Sequence, residues 1–236
     1  MSFLKAEWRK LVLVNYEVSP DLLLPYVPAG TELDVWEGKC YVSLVGFLFR
    51  NTRVLGLWIP GHVNFEEVNL RFYVVRKVNE EVRRGVVFVR EIVPKPAIST
   101  IANLCYKENY VTRRMNHDIS TKGDEIAVSY SWSENGMEQL FSVNASFVQQ
   151  ELMRGSEAEF ITEHYWGYAK VDDQSTNEYE VTHPRWQIYP VREYEIRVDF
   201  ERVYGAEFKA LNDLRPTSIF LAEGSEITVE SKSRIN

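Results

Sequence analysis

The sequence predicts a β-rich α+β chain, an antiparallel barrel or sandwich carrying a few short helices. Three observations lead there. Runs rich in Val, Ile, Leu, Tyr and Phe recur along the 236 residues, and turn residues separate them. Helical periodicity appears only in short windows, with no β-α-β alternation. Hydrophobic residues make up 45% and aromatic residues 13% of the chain, enough for a sizeable core in one large β-domain over 1–236.

The elements follow in order. "KLVLVNYEV" (10–18) opens as an apolar, β-branched strand. Ser19 then stands as an N-cap with Pro20 at the first helical position, and Pro25 keeps that helix short. "ELDVWEGKCYVSLVGFLF" reads as two strands about a Glu37-Gly38-Lys39 turn, its second half apolar enough for burial on both faces. "FEEVNLRFYVVRKV" (65–78) alternates: Glu67, Asn69, Arg71 and Tyr73 share one face, and Glu66, Val68, Leu70 and Phe72 the other. "RRGVVFVREIV" is the next strand. Ile98, Ile101, Ala102 and Cys105 then recur at helical spacing, the mark of an amphipathic helix.

The second half continues the theme. "AVSYSW" and "QLFSVNASFV" flank Glu134-Asn135-Gly136, where Asn-Gly is a hairpin signal. Ser156 with Glu159 forms a capping-box pattern for a short helix. "HYWGYAKV" and "EYEVTHPRWQIYPV" suggest a strand pair. A short helical stretch, "FERVYGAEFKALND", precedes "SIFLAEGSEITV", read as a last hairpin.

Composition excludes several function classes. A net charge of −7 argues against nucleic acid, whose binders concentrate Lys and Arg on one face. The longest apolar run, "YVSLVGFLF", is too short for a membrane span, and the start lacks the pattern of a signal peptide. A cytoplasmic protein without a membrane partner is expected. The two cysteines, Cys40 and Cys105, fit free thiols in a reducing compartment. There is no GxGxxG after a strand, no P-loop, no HExxH and no GxSxG, so no cofactor is expected. The four histidines lack metal-ligand spacing; only His164 and His183, on neighbouring predicted strands, are placed to meet across a hairpin, and no metal site is expected.

Candidate site residues come from three places. Glu67, Asn69 and Arg71, with Tyr73 beside them, face either water or a polar cavity; in a cavity Glu and Arg must pair or meet a ligand. The aromatic clusters "HYWGY" and "HPRWQIYP", with Trp166 and Trp186, serve either as packing or as the walls of a ligand pocket. Lys95, between Pro94 and Pro96, is a solvated turn residue or an amine aimed into a pocket. As a nucleophile it must be neutral, and the flanking prolines bring no charge to lower its pKa.

Taken together, "FEEVNLRFYV", "RRGVVFVREIVPKPAI", "ITEHYWGYA", "VTHPRW" and "SIFLAEGSEITV", in this order, resemble the YqjF-like family of uncharacterised bacterial proteins in the acetoacetate-decarboxylase-like superfamily. The resemblance implies a cone-shaped β-barrel around a small cavity. In the decarboxylases a Pro-Lys-Lys turn follows a strand; the first lysine forms a Schiff base and the second depresses its pKa. Here Pro94 and Lys95 match the Pro and first Lys, and Pro96 stands in place of the second. Arg71 and Arg90 are the substitute cations in reach of the sequence, and Glu67 resembles the acidic residue that orients substrate. Three readings follow: a cone binding a small organic acid or similar metabolite; a Schiff-base enzyme using Lys95 on a carbonyl substrate; and a purely structural β-domain, filled inside and forming homo-oligomers.

Overall fold

The structure, a computed structural model, describes residues 2–235. The strands are β1 (Ser2–Val18), β2 (Glu32–Leu33), β3 (Cys40–Val54), β4 (Phe65–Val78), β5 (Glu81–Val93), β6 (Tyr110–Thr112), β7 (Met115–Lys122) and β8 (Glu125–Glu134). They continue with β9 (Met137–Ser146), β10 (Gln150–Glu151), β11 (Trp166–Lys170), β12 (Thr176–Thr182), β13 (Gln187–Tyr189), β14 (Val191–Arg197), β15 (Ser218–Glu230) and β16 (Ser233–Ile235). The helices are short: α1 (Pro20–Leu23), α2 (Pro96–Tyr106), α3 (Glu157–Thr162) and α4 (Phe200–Tyr204), with 3-10 turns at Leu24–Tyr26 and Ala206–Asn212.

Ten strands run in the order β10-β13-β15-β1-β3-β4-β5-β11-β12-β16, with β2 on β4 and β6 on β5. β12 also pairs with β15 through Val181–Val229 and Thr182–Thr228, so the run of neighbours returns toward its start. A second sheet, β14-β9-β8-β7, is antiparallel throughout. It lays Ile126, Val128, Tyr130 and Trp132 of β8 on Val14, Leu44, Leu70 and Phe72 of the main sheet. The other face of the main sheet gathers Leu11, Leu13, Val45, Phe47, Phe65 and Trp186. Both faces of β3 are therefore covered, which is why "CYVSLVGFLF" is an unbroken buried run. Each such side chain contributes about 1.5–3 kcal/mol by leaving water. At Gly46 a Cβ would stand 2.8 Å from the Tyr130 ring and closer still to Phe141, so the missing side chain lets the second sheet sit down on β3.

Most elements fall where the sequence puts them. Ser19 caps α1 by accepting from the Asp21 amide at 3.3 Å. Ser156 caps α3 from the Glu159 amide at 3.2 Å, and the Glu159 carboxylate reaches the Gly155 amide at 2.5 Å. Asn135 and Gly136, both left-handed, turn β8 into β9.

Four expectations change. The chain is not wholly antiparallel: β5 pairs in parallel with β6 and with β11, and β5-α2-β6 is a single β-α-β crossover. Glu37 and Gly38 make a tight turn closed by a Trp36–Lys39 bridge, but β2 pairs with β4 and not with β3. β1 begins eight residues before the apolar run. "SIFLAEGSEITV" is one strand, not a hairpin. Gly224 is left-handed there (φ +79°), and a Cβ would overlap the Trp8 carbonyl, so the glycine marks a close approach of β15 to β1. A turn residue in a strand pattern signals such an irregularity as readily as a reversal.

Candidate functional site

The inner face of the main sheet encloses a cavity of about 210 Å³, with apolar walls supplied by Trp8, Phe47, Phe49, Phe65 and Phe88 among others. That is below the usual ~300–1,000 Å³ of a pocket for a drug-sized ligand, and suits a small metabolite. α2 closes part of the wall with Ile98, Ile101 and Ala102, the face its periodicity predicts; Cys105 turns outward instead.

Register builds the polar part. β4 alternates as expected, so Glu67, Asn69 and Arg71 point into the cavity and are buried. Asn69 stands opposite Glu91 on β5, and Glu91 stands beside Tyr110 on β6. A bulge between Leu70 and Arg71 in this pairing matches Leu70 to Arg90 but Arg71 to Phe88, leaving Val89 extra. Strict alternation would send Arg90 inward with Phe88 and Val86. The bulge exchanges the two: Phe88 and Glu91 both face the cavity, and Arg90 leaves it.

The polar atoms then connect. The Asn69 amide donates to Glu67 Oε1 at 3.0 Å, and the Tyr110 hydroxyl donates to Glu67 Oε2 at 3.0 Å. The Tyr179 hydroxyl donates to Glu108 at 2.6 Å. Tyr179 lies across Gly167, where a Cβ would overlap its ring. Glu108 follows the left-handed C-cap of α2, Lys107. On the opposite side the Arg71 guanidinium donates to the Ile161 carbonyl at 3.3 Å and lies 5.6 Å from the centre of the Tyr73 ring. His164 Nε2 donates to Asp34 at 3.1 Å, and Arg84 grips the same carboxylate at 2.6 Å.

Burial dominates the electrostatics. It pushes Glu67 up to about 7, against the pull of Asn69, Tyr110 and Arg71. Glu108 is likewise raised to about 7 by burial, opposed by the Tyr179 bond and reinforced by Glu67. Glu91 is raised well above its usual value by burial, then by the charges of Glu108 and Glu67. Burial also raises the Tyr110 and Tyr179 hydroxyls, and lowers His164 to about 4. His183 is lowered for the same reason. The cavity is thus a place where acids hold their protons to higher pH than in water and His164 is neutral.

Several buried polar atoms have no hydrogen-bond partner among the described residues. Around the cavity they are Arg71 Nε, Asn69 Oδ1, Glu91 Oε2, His164 Nδ1, Trp8 Nε1 and Thr52 Oγ1. Such groups cost about 1–3 kcal/mol each when left unmet.

The expected site residues divide. Glu67, Asn69, Arg71, Trp166 and Trp186 line the cavity. Trp186 stacks on His183 at 4.2 Å and donates to Ser225 at 2.9 Å, while Arg83 covers Trp166 at 4.3 Å. Tyr73 is not in the lining: Phe160 and His164 cover its ring at 5.4 and 4.6 Å, and its hydroxyl pairs with Ser43 at 2.6 Å. Arg90 turns away and donates to the Val203 carbonyl in α4. Lys95 is half-buried and not in the lining; its carbonyl accepts from the Ile98 and Ser99 amides to start α2, and its amine makes no hydrogen bond or ion pair among the described residues. His164 and His183 do not pair: His183 stacks on Trp186 and Tyr165. Glu91, Glu108, Tyr110 and Tyr179 were not singled out by the sequence. Among the described residues no three His, Cys, Asp or Glu side chains come together as metal ligands, and no helix is long and apolar enough to cross a membrane.

Comparison with known proteins bears on this frame. The profile of the DUF2071 family, described as an uncharacterized conserved protein, matches residues 5–226. The protein YqjF of Bacillus subtilis (strain 168) is 33% identical over 75 residues, and the matched stretch spans 31% of each chain. Among solved structures, acetoacetate decarboxylase from Legionella pneumophila is similar at a TM-score of 0.66 and 12% identity, covering 99% of this chain and 87% of that one. The enduracididine biosynthesis enzyme MppR, complexed with pyruvate, is similar at 0.71 and 12%, covering 100% and 91%. An acetoacetate decarboxylase-like enzyme from Sphingomonas wittichii RW1 is similar at 0.67 and 11%, covering 100% and 94%. At these identities the likeness is one of fold.

Proposed function

Because the chain belongs to the DUF2071 family and its fold is acetoacetate-decarboxylase-like, we propose that it is one domain, a cone-shaped barrel that binds a small organic acid in its interior. One observation carries the reading: Arg71, buried in the cavity wall, holds its Nε without a partner while no carboxylate pairs with its guanidinium among the described residues. A buried guanidinium is the group suited to take a carboxylate in two parallel bonds. Glu67 lies in reach of its field, but Asn69 and Tyr110 occupy the two Glu67 oxygens. The ligand's acid group completes Arg71, and its carbon chain lies against Phe65, Phe88 and Trp166.

The complex of MppR with pyruvate is in keeping with an acid-sized ligand in this fold. No observation favours Schiff-base chemistry over binding, since Lys95 is absent from the lining. The test is calorimetric titration of the intact protein with carboxylates of two to six carbons, beside the Arg71→Gln variant. Saturable binding by one length class, weakened by the variant, supports the reading; equal binding by both proteins, or by neither, sinks it.

A further inference from the structure

The cavity holds three carboxyl groups and one guanidinium. Glu67, Glu91 and Glu108 come from β4, β5 and the segment after α2, and Tyr110 and Tyr179 bridge them to the wall. Among the described residues Arg71 is the sole lysine or arginine in the lining, and burial lowers the pKa of His164 and His183. A carboxylate ligand uses Arg71 and leaves the acids unanswered. We propose that the ligand carries a protonated amine as well as a carboxylate, and that Glu91 and Asn69 receive the ammonium, with Glu67 and Glu108 acting on it through their charge; this rests on the organic-acid reading of Arg71.

An independent observation points the same way. Asn69 is 1% exposed, lines the cavity between Glu67 and Arg71, and has its Oδ1 unpartnered. Its amide nitrogen donates to Glu67, which turns Oδ1 to the other side. Glu91 Oε2, on the residue opposite, is also unpartnered, as is His164 Nδ1. The cavity therefore presents acceptors at the level of Asn69 and Glu91, two residues along β4 from Arg71. A strand advances about 3.3 Å per residue, which separates these levels by ~7 Å. An ammonium carries three donors and no acceptor, which is the complement of that set. A divalent ion is not, because no three carboxylates converge as metal ligands among the described residues.

Binding has a proton balance. Glu67 and Glu108 titrate at about 7 and Glu91 above its ordinary value; an arriving ammonium lowers their pKa, protons they still carry pass to solvent, and an ammonium–carboxylate pair forms. Affinity for an amino acid thus rises with pH from 6 to 8, whereas affinity for a plain acid does not.

The experiment titrates the intact protein with four five-carbon probes: pentanoate, pentylamine, 5-aminopentanoate and 2-aminopentanoate. Each is run at pH 6 and 8 in two buffers of different ionisation enthalpy. Expected is binding of one aminopentanoate at least tenfold tighter than pentanoate, with proton release, the two isomers telling whether the amine sits at the near or far carbon. Glu91→Gln and Glu108→Gln, each replacing a carboxyl by its neutral isostere, should remove most of that advantage, read as the ratio of aminopentanoate to pentanoate affinity in the same variant. Pentanoate binding as tightly as both aminopentanoates overturns the amine site and leaves the organic-acid reading standing. Binding of pentylamine as tight as the aminopentanoates overturns the role of Arg71 instead. Binding by none overturns both.

Discussion

Glu91 on β5 stands opposite Asn69 on β4, and both side chains enter the same cavity although strict alternation would turn Glu91 the other way. The pairing exists because one extra residue, Val89, is accommodated between them and the Arg71–Phe88 pair. A bulge of this kind re-aims every side chain beyond it. Here it brings an acid to the site and removes a base.

The division between Arg71 and Lys95 is testable in one experiment. Arg71→Gln should weaken binding of a short carboxylate by roughly 10- to 100-fold, the worth of about 1.5–3 kcal/mol for a bond to a charged group. Lys95→Ala should leave affinity within about twofold, since its amine lies outside the lining. Borohydride reduction after incubation with small keto acids should leave Lys95 unmodified by mass spectrometry. A keto-acid-dependent adduct there would restore the Schiff-base reading.

Two acids of the cavity, buried Glu67 and half-buried Glu108, make stability depend on pH in a definite direction. A carboxyl raised to about 7, as Glu67 and Glu108 are, stays protonated in the fold while the unfolded chain has released its proton above ~4.3. Their stabilisation is therefore lost as pH rises through 7. His164, lowered to about 4, acts oppositely, but only below ~6.5. Between pH 6.5 and 8 the acids are unopposed, and stability should fall by roughly 1–3 kcal/mol. The melting temperature should drop by several degrees across that window, less steeply in Glu67→Gln. A flat profile contradicts the burial of these carboxyls.

Two glycines separate site from scaffold. Gly167→Ala forces a methyl into the Tyr179 ring, which holds Glu108. Gly46→Ala forces one into Phe141 and Tyr130, between the sheets. Each should cost about 1–3 kcal/mol, roughly 3–10 °C in melting temperature. Only Gly167→Ala should also alter the pH profile. Identical profiles in the two variants would mean that Tyr179 does not govern Glu108.

What the sequence carried is explained by the range of its signals. The alternation of 65–78 survives intact, so Glu67, Asn69 and Arg71 could be placed on one face without coordinates. Caps and the Asn135-Gly136 turn are local chemistry and were equally legible. Glu91 was not, because "VFVREIV" looks regular and the bulge is set by its pairing with β4. Glu108 and Tyr110 follow a left-handed Lys107, and Tyr179 reaches the cavity only because Gly167 on the next strand leaves room. Gly224 misled for a related reason: its left-handed backbone serves a neighbour, not a reversal.

α2 is the odd element in this wall. Only Ser99 and Tyr106 of its eleven residues are buried, yet Ile98, Ile101 and Ala102 stand between the cavity and the outside. The preceding strand β5, and β4 beside it in the sheet, are far more deeply packed. Elements held so lightly open at lower free energy than the sheet around them. Its amides should exchange with deuterium sooner than those of β4, and a bound ligand should slow them. The part of the wall that gives way first is then a helix, joined to β5 only through Pro94 and Lys95.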